Sequence, residues 1–253
     1  MIQRITLEAF TAETVSTYGV VCLDMKEKLD PEAFVKLSER LGKTLPFNLS
    51  KYRSVDSPSE ITILDNLGDG ITAATSSFGE GWHQDSSFLP NPPEYTVLHA
   101  LDVPSDGGDT FFTDTRLAWE RTPEKKRQIL RGINLVHSVR DSYRLMPSDV
   151  GQTLEALLQT LPKAQHPLVL KHPRGGETLY LSPLYIKGNL YQEQQEIYSE
   201  ILESVLIDQV THRWEPGHIL AWDNRVVLHA ATGYGGKERR HLMRTVVEDI
   251  GSL

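Results

Sequence analysis

The residues best suited to metal chemistry lie in two short segments far apart in the chain, 82–85 and 222–229. The first segment contains His83 and Asp85, whose side chains would point to the same face of an extended strand. The second segment ends at His229. Two imidazoles and one carboxylate can occupy one face of an octahedral metal and leave the other positions open, as non-haem Fe(II) oxygenases require. These three residues are therefore candidate iron ligands.

A histidine two positions from an acidic residue is weak evidence alone, since about one such match is expected by chance in this composition. Arg240 and Arg244, which follow a glycine-rich turn after His229, strengthen it. We predict that strands 226–230 and 241–247 form a hairpin around that turn and that both arginines share one strand face. Buried guanidiniums need an anionic partner, and a dicarboxylate suits them because arginine binds carboxylates bidentately.

A third motif lies between the two segments and completes a resemblance to a known family. Residues 106–112 read Asp-Gly-Gly-Asp-Thr-Phe-Phe, which predicts a tight turn and then a strand on which Thr110 offers a hydroxyl group. His-X-Asp, Gly-Gly-Asp-Thr and Trp-Asp-Asn-Arg…His, followed by the two arginines, occur here in order. With these motifs the chain, from about residue 20 to 248, resembles the Fe(II)/2-oxoglutarate-dependent taurine dioxygenase family, which includes 2,4-dichlorophenoxyacetate dioxygenases and alkylsulfatases.

The resemblance implies a role for each motif residue. The iron ligands, which are also the catalytic residues, would be His83, Asp85 and His229. Thr110 and Arg240 would bind the distal carboxylate of 2-oxoglutarate. Arg244 would bind either an acidic group of the substrate or the other carboxylate of the co-substrate. The implied reaction consumes 2-oxoglutarate and O2, oxidises a small organic substrate, most simply by hydroxylation, and releases succinate and CO2.

Two other classes of function remain open at this stage. A zinc-dependent hydrolase could use the same three ligands with water in the open position. That reading leaves Arg240 and Arg244 unexplained and offers no clear general base. A non-catalytic jelly-roll binding protein would not require an intact set of metal ligands.

One local difference from the family concerns the substrate. Taurine-specific members carry histidines just after a helix that is expected to end at Gly42 in this chain. One of those histidines contacts the sulfonate. The corresponding stretch here, 43–48, contains no histidine and presents Leu45 and Phe47 instead. The resemblance therefore implies a substrate that is larger and more apolar than taurine.

Composition limits the remaining possibilities. The chain has 253 residues, a net charge of −8 and a single cysteine, Cys22. The negative charge argues against nucleic-acid and anionic-membrane partners, and one cysteine excludes an intrachain disulfide. No segment reaches membrane-spanning length. We expect a cytoplasmic protein whose partner is a small molecule, and the sequence leaves open whether it forms a homo-oligomer.

Many short strands separated by turns, with helices near the start and in the long connections, predict a mainly β protein with flanking helices. We expect a double-stranded β-helix (jelly roll) in a single domain, 1–253, with a helical insertion around 141–165. Capping residues predict helices after Thr11 and after Asp30. His99 and His137 are expected in the core. Five further histidines are predicted to face solvent or to lie in loops: His166, His172, His212, His218 and His241.

Overall fold

The computed structural model describes residues 2–46, 57–67, 79–139, 156, 160–186, 192–233 and 238–249. In these residues the protein is mainly β, with few helices, as predicted. The helices are α1 (Ala12–Tyr18), α2 (Pro31–Ser38), α3 (Thr115–Arg121), α4 (Glu124–Leu130) and α5 (Gln192–Leu206). None of the helices in these ranges is long and apolar enough to cross a membrane.

The strands are short and belong to four sheets. They are β1 (Gln3–Ile5), β2 (Val20–Asp24), β3 (Lys43–Leu45), β4 (Thr62–Asp65), β5 (Tyr95–Asp102), β6 (Thr110–Asp114), β7 (Asn134–Ser138), β8 (Lys163–Pro167), β9 (Val169–Lys171), β10 (Glu177–Leu179), β11 (Val210–His212), β12 (His218–Asp223), β13 (Val227–Ala231) and β14 (His241–Glu248). The largest sheet has the order β1-β2-β12-β5-β14-β3, and β4 also pairs with β14. A second sheet has the order β11-β6-β13, and the pairs β7-β8 and β9-β10 complete the set.

The largest sheet and the β11-β6-β13 sheet share one buried apolar cluster. Phe112 of β6 and Trp222 of β12 meet in it, with ring centroids 5.4 Å apart. The opposite face of the largest sheet is covered by helices, because Val15 of α1 and Phe34 of α2 pack with Ile219 of β12. Neighbouring residues of a strand thus enter different cores, as the period of two requires.

Local signals in the sequence fix the first two helices. The Thr11 hydroxyl accepts a hydrogen bond from the Thr14 backbone N–H, and Asp30 caps α2 in the same way through Ala33. Both starts are confirmed. The second helix ends at Ser38 rather than at Gly42. Gly42 instead allows the chain to pass close to the backbone of β14, since a Cβ there would lie 2.1 Å from the Glu248 carbonyl oxygen.

The predicted hairpin of 226–230 with 241–247 is wrong. β13 pairs with β6, whereas β14 pairs with β5 along one edge and with β3 and β4 along the other. Because both edges of β14 are occupied, no edge is left for β13. The chain after Ala231 therefore passes from one sheet to the other; residues 234–237 lie outside the described residues.

The predicted helical insertion around 141–165 falls mostly on residues outside the described ranges and stays a prediction there. The prediction of helix is wrong for the last residues of this range, because 163–165 belong to β8, which pairs antiparallel with β7. Within β8 the buried Ala164 stands between the exposed Lys163 and Gln165, which is the alternation of a strand rather than of a helix. The single-domain assignment is likewise still a prediction.

The histidine predictions divide. His99 and His137 are fully buried, as expected. His212 and His218 were expected to face solvent or to lie in loops, but they lie in β11 and β12 and are 7% and 1% exposed. His172 follows β9 in a loop, as expected, although it is buried there. Burial depends on which elements pack over a residue, and a local stretch of sequence does not reveal this.

A buried carboxylate, Asp223, fixes the turn between β12 and β13. Its oxygens accept hydrogen bonds from Arg225 (Nε at 2.8 Å and Nη2 at 2.6 Å), and from Ser16 Oγ at 2.8 Å. His172 Nε2 lies 3.1 Å from the same carboxylate. Burial alone would raise the pKa of Asp223, but the bonds from His172 and Arg225 and the charge of Arg225 outweigh it and hold the pKa well below its usual range.

Replacing Asp223 by asparagine should therefore lower the free energy of unfolding by about 3–5 kcal/mol at neutral pH, because Arg225 loses a buried charged partner. A depressed native pKa stabilises the fold above the unfolded-state pKa of about 3.9, and this contribution is lost as the pH falls through the native pKa. The difference between variant and wild type should shrink in acid, which urea unfolding at several pH values would measure. Asp24→Asn, at an exposed ion pair with Arg4, is the control and should cost at most about 1 kcal/mol. A loss at Asp223 that did not depend on pH would contradict this account.

Candidate active site

The three candidate metal ligands come together in one buried group. Nε2 of His83 lies 3.6 Å from Asp85 Oδ1, and Nε2 of His229 lies 3.8 Å from Asp85 Oδ2. One ligand atom from each residue falls within 4.8 Å of the other two. The residues are 3%, 4% and 6% exposed. Two imidazoles and a carboxylate at these distances can hold a single metal ion.

One backbone contact brings the two distant histidines together. His229 lies in the middle of β13, and its backbone exchanges two hydrogen bonds with His83, at 2.9 and 3.0 Å. His83 makes only this isolated bridge and does not lie in a strand. The chain then turns at Asp85 and Ser86, and the φ of Ser86 is 54°. The expected continuous strand through His83 and Asp85 is therefore wrong. The two side chains still converge because the turn directs the carboxylate toward the imidazoles.

The orientation of the His83 ring suits metal binding. Nδ1 lies 2.8 Å from the Gly81 carbonyl oxygen, so Nδ1 carries the proton and donates it there. The lone pair of Nε2 then points toward Asp85. Nδ1 of His229 has no hydrogen-bond partner among the residues that the structure describes.

The electrostatics of the group favour the protonation states that bind metals. Burial would raise the pKa of Asp85, but the charge of Arg244, with Nη2 3.0 Å from Asp85 Oδ1, outweighs it and holds the pKa well below its usual range. Burial lowers the pKa of His229 to about 3, and the neighbouring His83 contributes to this shift. At neutral pH the site thus contains a carboxylate and a neutral His229 imidazole.

A chain of hydrogen bonds behind Asp85 holds the carboxylate in place. Thr96 Oγ1 donates to Asp85 Oδ2 at 2.7 Å, and Asn224 Nδ2 donates to Thr96 Oγ1 at 3.0 Å. Trp222 Nε1 donates to Asn224 Oδ1 at 2.9 Å, and the Trp222 ring lies 4.8 Å from that of His229. The Trp-Asp-Asn segment of the sequence thus supports both the carboxylate and a histidine.

Removing the Thr96 hydroxyl should weaken metal binding without destroying the site. We expect Thr96→Val to lower Fe(II) affinity by about 10–100-fold, the usual effect of losing a residue that hydrogen-bonds a metal ligand. Thr113→Val is a matched control, because Thr113 is a buried threonine whose hydroxyl bonds the Val205 carbonyl oxygen instead. Anaerobic metal titrations of both variants would measure the effect. Equal losses in the two would mean that Thr96 has no specific role.

A cavity opens beside the three ligands. It is lined by Thr110, Arg240 and Arg244, and by the apolar side chains of Leu64 and Leu98. Both arginines therefore reach the cavity of His229, although the predicted hairpin that would have brought them there is wrong. Arg244 lies in β14 of the largest sheet and Arg240 immediately precedes that strand, whereas His229 lies in β13 of the facing sheet.

Two residues that face this cavity are held by neighbours. Arg240 Nε donates to the Gly108 carbonyl oxygen at 3.0 Å, and the Arg240 backbone N–H donates to Asn66 Oδ1 at 2.6 Å. The Thr110 hydroxyl accepts a hydrogen bond from Trp214 Nε1 at 3.0 Å. That bond leaves the hydroxyl hydrogen of Thr110 able to point toward a ligand in the cavity.

The Gly-Gly-Asp-Thr motif has a steric explanation. Gly108 has a φ of +70°, and a Cβ there would lie 3.0 Å from Pro104 Cγ and 3.2 Å from Arg240 Cδ. A larger residue would push the Arg240 side chain away from the cavity. Sequence reasoning recognised the turn but missed this contact, because the two residues are far apart in sequence.

Comparisons with known proteins agree with this geometry. Residues 6–246 match the sequence model of the family described as Taurine catabolism dioxygenase TauD, TfdA family. The chain is 33% identical to an alpha-ketoglutarate-dependent 2,4-dichlorophenoxyacetate dioxygenase from Cupriavidus pinatubonensis, over 66% of this chain and 60% of that protein. It is 32% identical to the enzyme of the same name from a Burkholderia species, over 83% of this chain and 71% of that protein.

A solved structure extends the likeness to the fold. The crystal structure of a taurine dioxygenase from Burkholderia xenovorans is 26% identical and has a TM-score of 0.71, covering 93% of this chain and 78% of that chain. The order of the motifs, the single cavity lined by the candidate metal ligands and the arginines, and the match over residues 6–246 all agree. The chain belongs to the TauD/TfdA dioxygenase family.

Proposed function

We propose that this protein is an Fe(II)- and 2-oxoglutarate-dependent dioxygenase that oxidises a small organic substrate, most simply by hydroxylation, and releases succinate and CO2. One observation carries the proposal. The three candidate metal ligands and the two arginines line the same cavity, so a metal and an anionic co-substrate can bind next to each other. The names of the relatives support the same activity.

In this proposal His83, Asp85 and His229 are the iron ligands. The neutral His229 and the ionised Asp85 are already in the states that a metal needs, so metal binding displaces no proton from either. Three ligands on one side leave the opposite positions for 2-oxoglutarate and O2. The iron with its co-substrate supplies the oxidising chemistry.

The proposed co-substrate site follows from charge and hydrogen-bonding capacity. Arg240 would bind the distal carboxylate of 2-oxoglutarate, with Thr110 donating its hydroxyl hydrogen to the same group. The bond from Arg240 to Gly108 fixes the guanidinium before the ligand arrives, which reduces the entropy lost on binding.

Arg244 defines the second anionic position. Because its Nη2 lies 3.0 Å from Asp85 Oδ1, a carboxylate that it binds would lie next to the metal. We propose that the substrate carries an acidic group at this position and an apolar body against Leu64 and Leu98. An organic acid resembling 2,4-dichlorophenoxyacetate, the compound in the names of two relatives, has this character. Of the apolar pair predicted to replace histidines, Leu45 is half-buried in β3 and Phe47 lies outside the described residues.

We also propose the double-stranded β-helix (jelly roll) as the specific architecture. The support is that antiparallel strands of two sheets face one buried cluster, with the site between them. A single domain, a cytoplasmic location and the absence of nucleic-acid and membrane partners stay predictions from the sequence.

An assay for succinate tests the proposed function and separates it from the alternatives. The purified protein is incubated with Fe(II), 2-oxoglutarate and O2, and small acids are screened for those that stimulate succinate release. We expect stimulation that requires both iron and 2-oxoglutarate. A zinc hydrolase would instead convert its substrate with Zn2+ and without succinate, and a binding protein would do neither; either outcome would overturn the proposal.

A further inference from the structure

A second group of metal-binding side chains lies outside the active site. Cys22 of β2, His212 of β11 and His218 of β12 are 1%, 7% and 1% exposed. One ligand atom from each lies within 4.8 Å of the other two. This cluster shares no residue with the proposed iron site, and none of its members lines the cavity.

The distance between the two imidazoles fits a metal ion. His218 Nδ1 lies 3.3 Å from His212 Nε2. Two nitrogens bound to tetrahedral zinc at about 2.0 Å stand about 3.3 Å apart. The Glu215 backbone N–H also points at His218 Nδ1, at 3.2 Å, and coordination would replace this neutral hydrogen bond.

The second nitrogen of the His218 ring would carry the proton when Nδ1 binds a metal. This Nε2 atom is buried and makes no hydrogen bond within the described part of the chain. The Glu215 carboxylate lies near it, with Oε2 3.9 Å away, and that side chain is mostly exposed.

Protonation also suits a metal. Burial lowers the pKa of His212 to about 3, and burial likewise lowers the pKa of His218. Both rings are therefore neutral at neutral pH and can use a lone pair for coordination. Burial raises the pKa of Cys22 to about 11, so the cysteine is a neutral thiol until a metal displaces its proton.

We propose that Cys22, His212 and His218 bind one borderline-soft divalent cation of the zinc class, with water in the fourth position. A thiolate and two imidazoles select zinc, whereas two imidazoles and a carboxylate with open positions suit Fe(II), so the protein would bind two different metals. The ion would connect the largest sheet to β11 of the facing sheet. The ion would also steady Trp214, whose ring packs against His212 with ring centroids 4.8 Å apart. Trp214 in turn donates a hydrogen bond to the Thr110 hydroxyl.

Cobalt binding tests the proposal with a signal that is specific to this site. Cys22 is the sole cysteine of the chain, so a thiolate-to-cobalt charge-transfer absorption can arise only from a metal bound to it. The metal-free double variant His83→Ala/His229→Ala, in which the proposed iron site is removed, is titrated with Co2+. We expect one equivalent to bind, with the charge-transfer band and a rise in Tm.

Adding Cys22→Ser to that double variant should abolish the band and the rise in Tm. In the otherwise wild-type chain, Cys22→Ser should remove one of two bound Co2+ ions. If Cys22→Ser does not fold, His212→Asn serves the same purpose and should also abolish the band and the rise in Tm. A double variant that binds no Co2+, or binds it without the band, would overturn the proposal and leave the cluster as a hydrogen-bonded histidine pair beside a packed thiol. Activity of the iron site has no part in this test, so its result is independent of the proposed function.

Discussion

Replacing Asp85 by asparagine is expected to abolish turnover and to weaken Fe(II) binding by more than about 100-fold, beyond the effect of losing a residue that only hydrogen-bonds a ligand. The amide has nearly the same shape as the carboxylate, so the loss measures charge and metal affinity rather than packing. Asp85 is the anionic member of the group, and its Oδ1 lies 3.0 Å from Arg244. Iron content after anaerobic loading, together with succinate release, would measure both effects.

The control for this variant is Asp102→Asn, which changes an exposed carboxylate paired with Lys28. It should bind iron as the wild type does. Thermal unfolding of both variants would show whether any loss at Asp85 reflects the site or the fold. Iron content and turnover that survived in Asp85→Asn would show that Asp85 is not a metal ligand.

Replacing Arg240 by alanine should raise the Kd for 2-oxoglutarate far more than it changes iron binding. A buried, charge-assisted partner of a carboxylate contributes about 2–5 kcal/mol, and because Arg240 is half-buried we expect the lower part of this range, roughly 30-fold or somewhat more in affinity. The guanidinium is held toward the cavity by its bond to the Gly108 carbonyl oxygen. Anaerobic calorimetry of 2-oxoglutarate binding to the iron-loaded variant would measure the change.

The adjacent Arg239 provides a matched control. Arg239 is exposed and pairs with the largely covered Asp65 side chain, with Nη2 2.7 Å from the carboxylate oxygen. Arg239→Ala removes the same charge from the same segment and should leave 2-oxoglutarate affinity nearly unchanged. If the two variants bound 2-oxoglutarate equally well, the assignment of Arg240 to the co-substrate would be wrong.

The residues of the candidate site were proposed from the sequence, but the contacts that support them were not. The ligands and the arginines belong to short motifs with chemically distinctive side chains, and the resemblance of these motifs to a known family implied their roles. The sequence gives no sign that Thr96 bonds Asp85, or that Gly108 must be small to admit Arg240. Those contacts join residues that are distant in sequence, and they depend on how the strands are paired.

Strand pairing itself was the main error. Residues 226–230 and 241–247 flank a glycine-rich turn, which is the local signature of a hairpin. Their pairing is decided elsewhere, because β5, β3 and β4 occupy the edges of β14. Arg240, just before β14, and Arg244 within it still reach the same cavity, because the direction of side chains along an extended segment is a local property, whereas the choice of partner strand is not.

Burial of the histidines was likewise hard to predict from local sequence. His212 and His218 lie on either side of the Pro216-Gly217 turn. In the fold both meet Cys22, which comes from a third strand. A three-residue strand such as β11 carries too little apolar pattern to reveal which of its faces is inside, and His218 is the first residue of β12.

One metal ion, held by His83, Asp85 and His229, is expected to bind 2-oxoglutarate together with Arg240. Anaerobic calorimetry of 2-oxoglutarate binding, with and without Fe(II), measures the contribution of the metal. We predict one equivalent of tight binding to the iron-loaded protein, much weaker binding without metal, and the same weak binding in His229→Ala whether or not iron is added. Binding that was equally tight without iron, or unchanged in His229→Ala, would contradict the account.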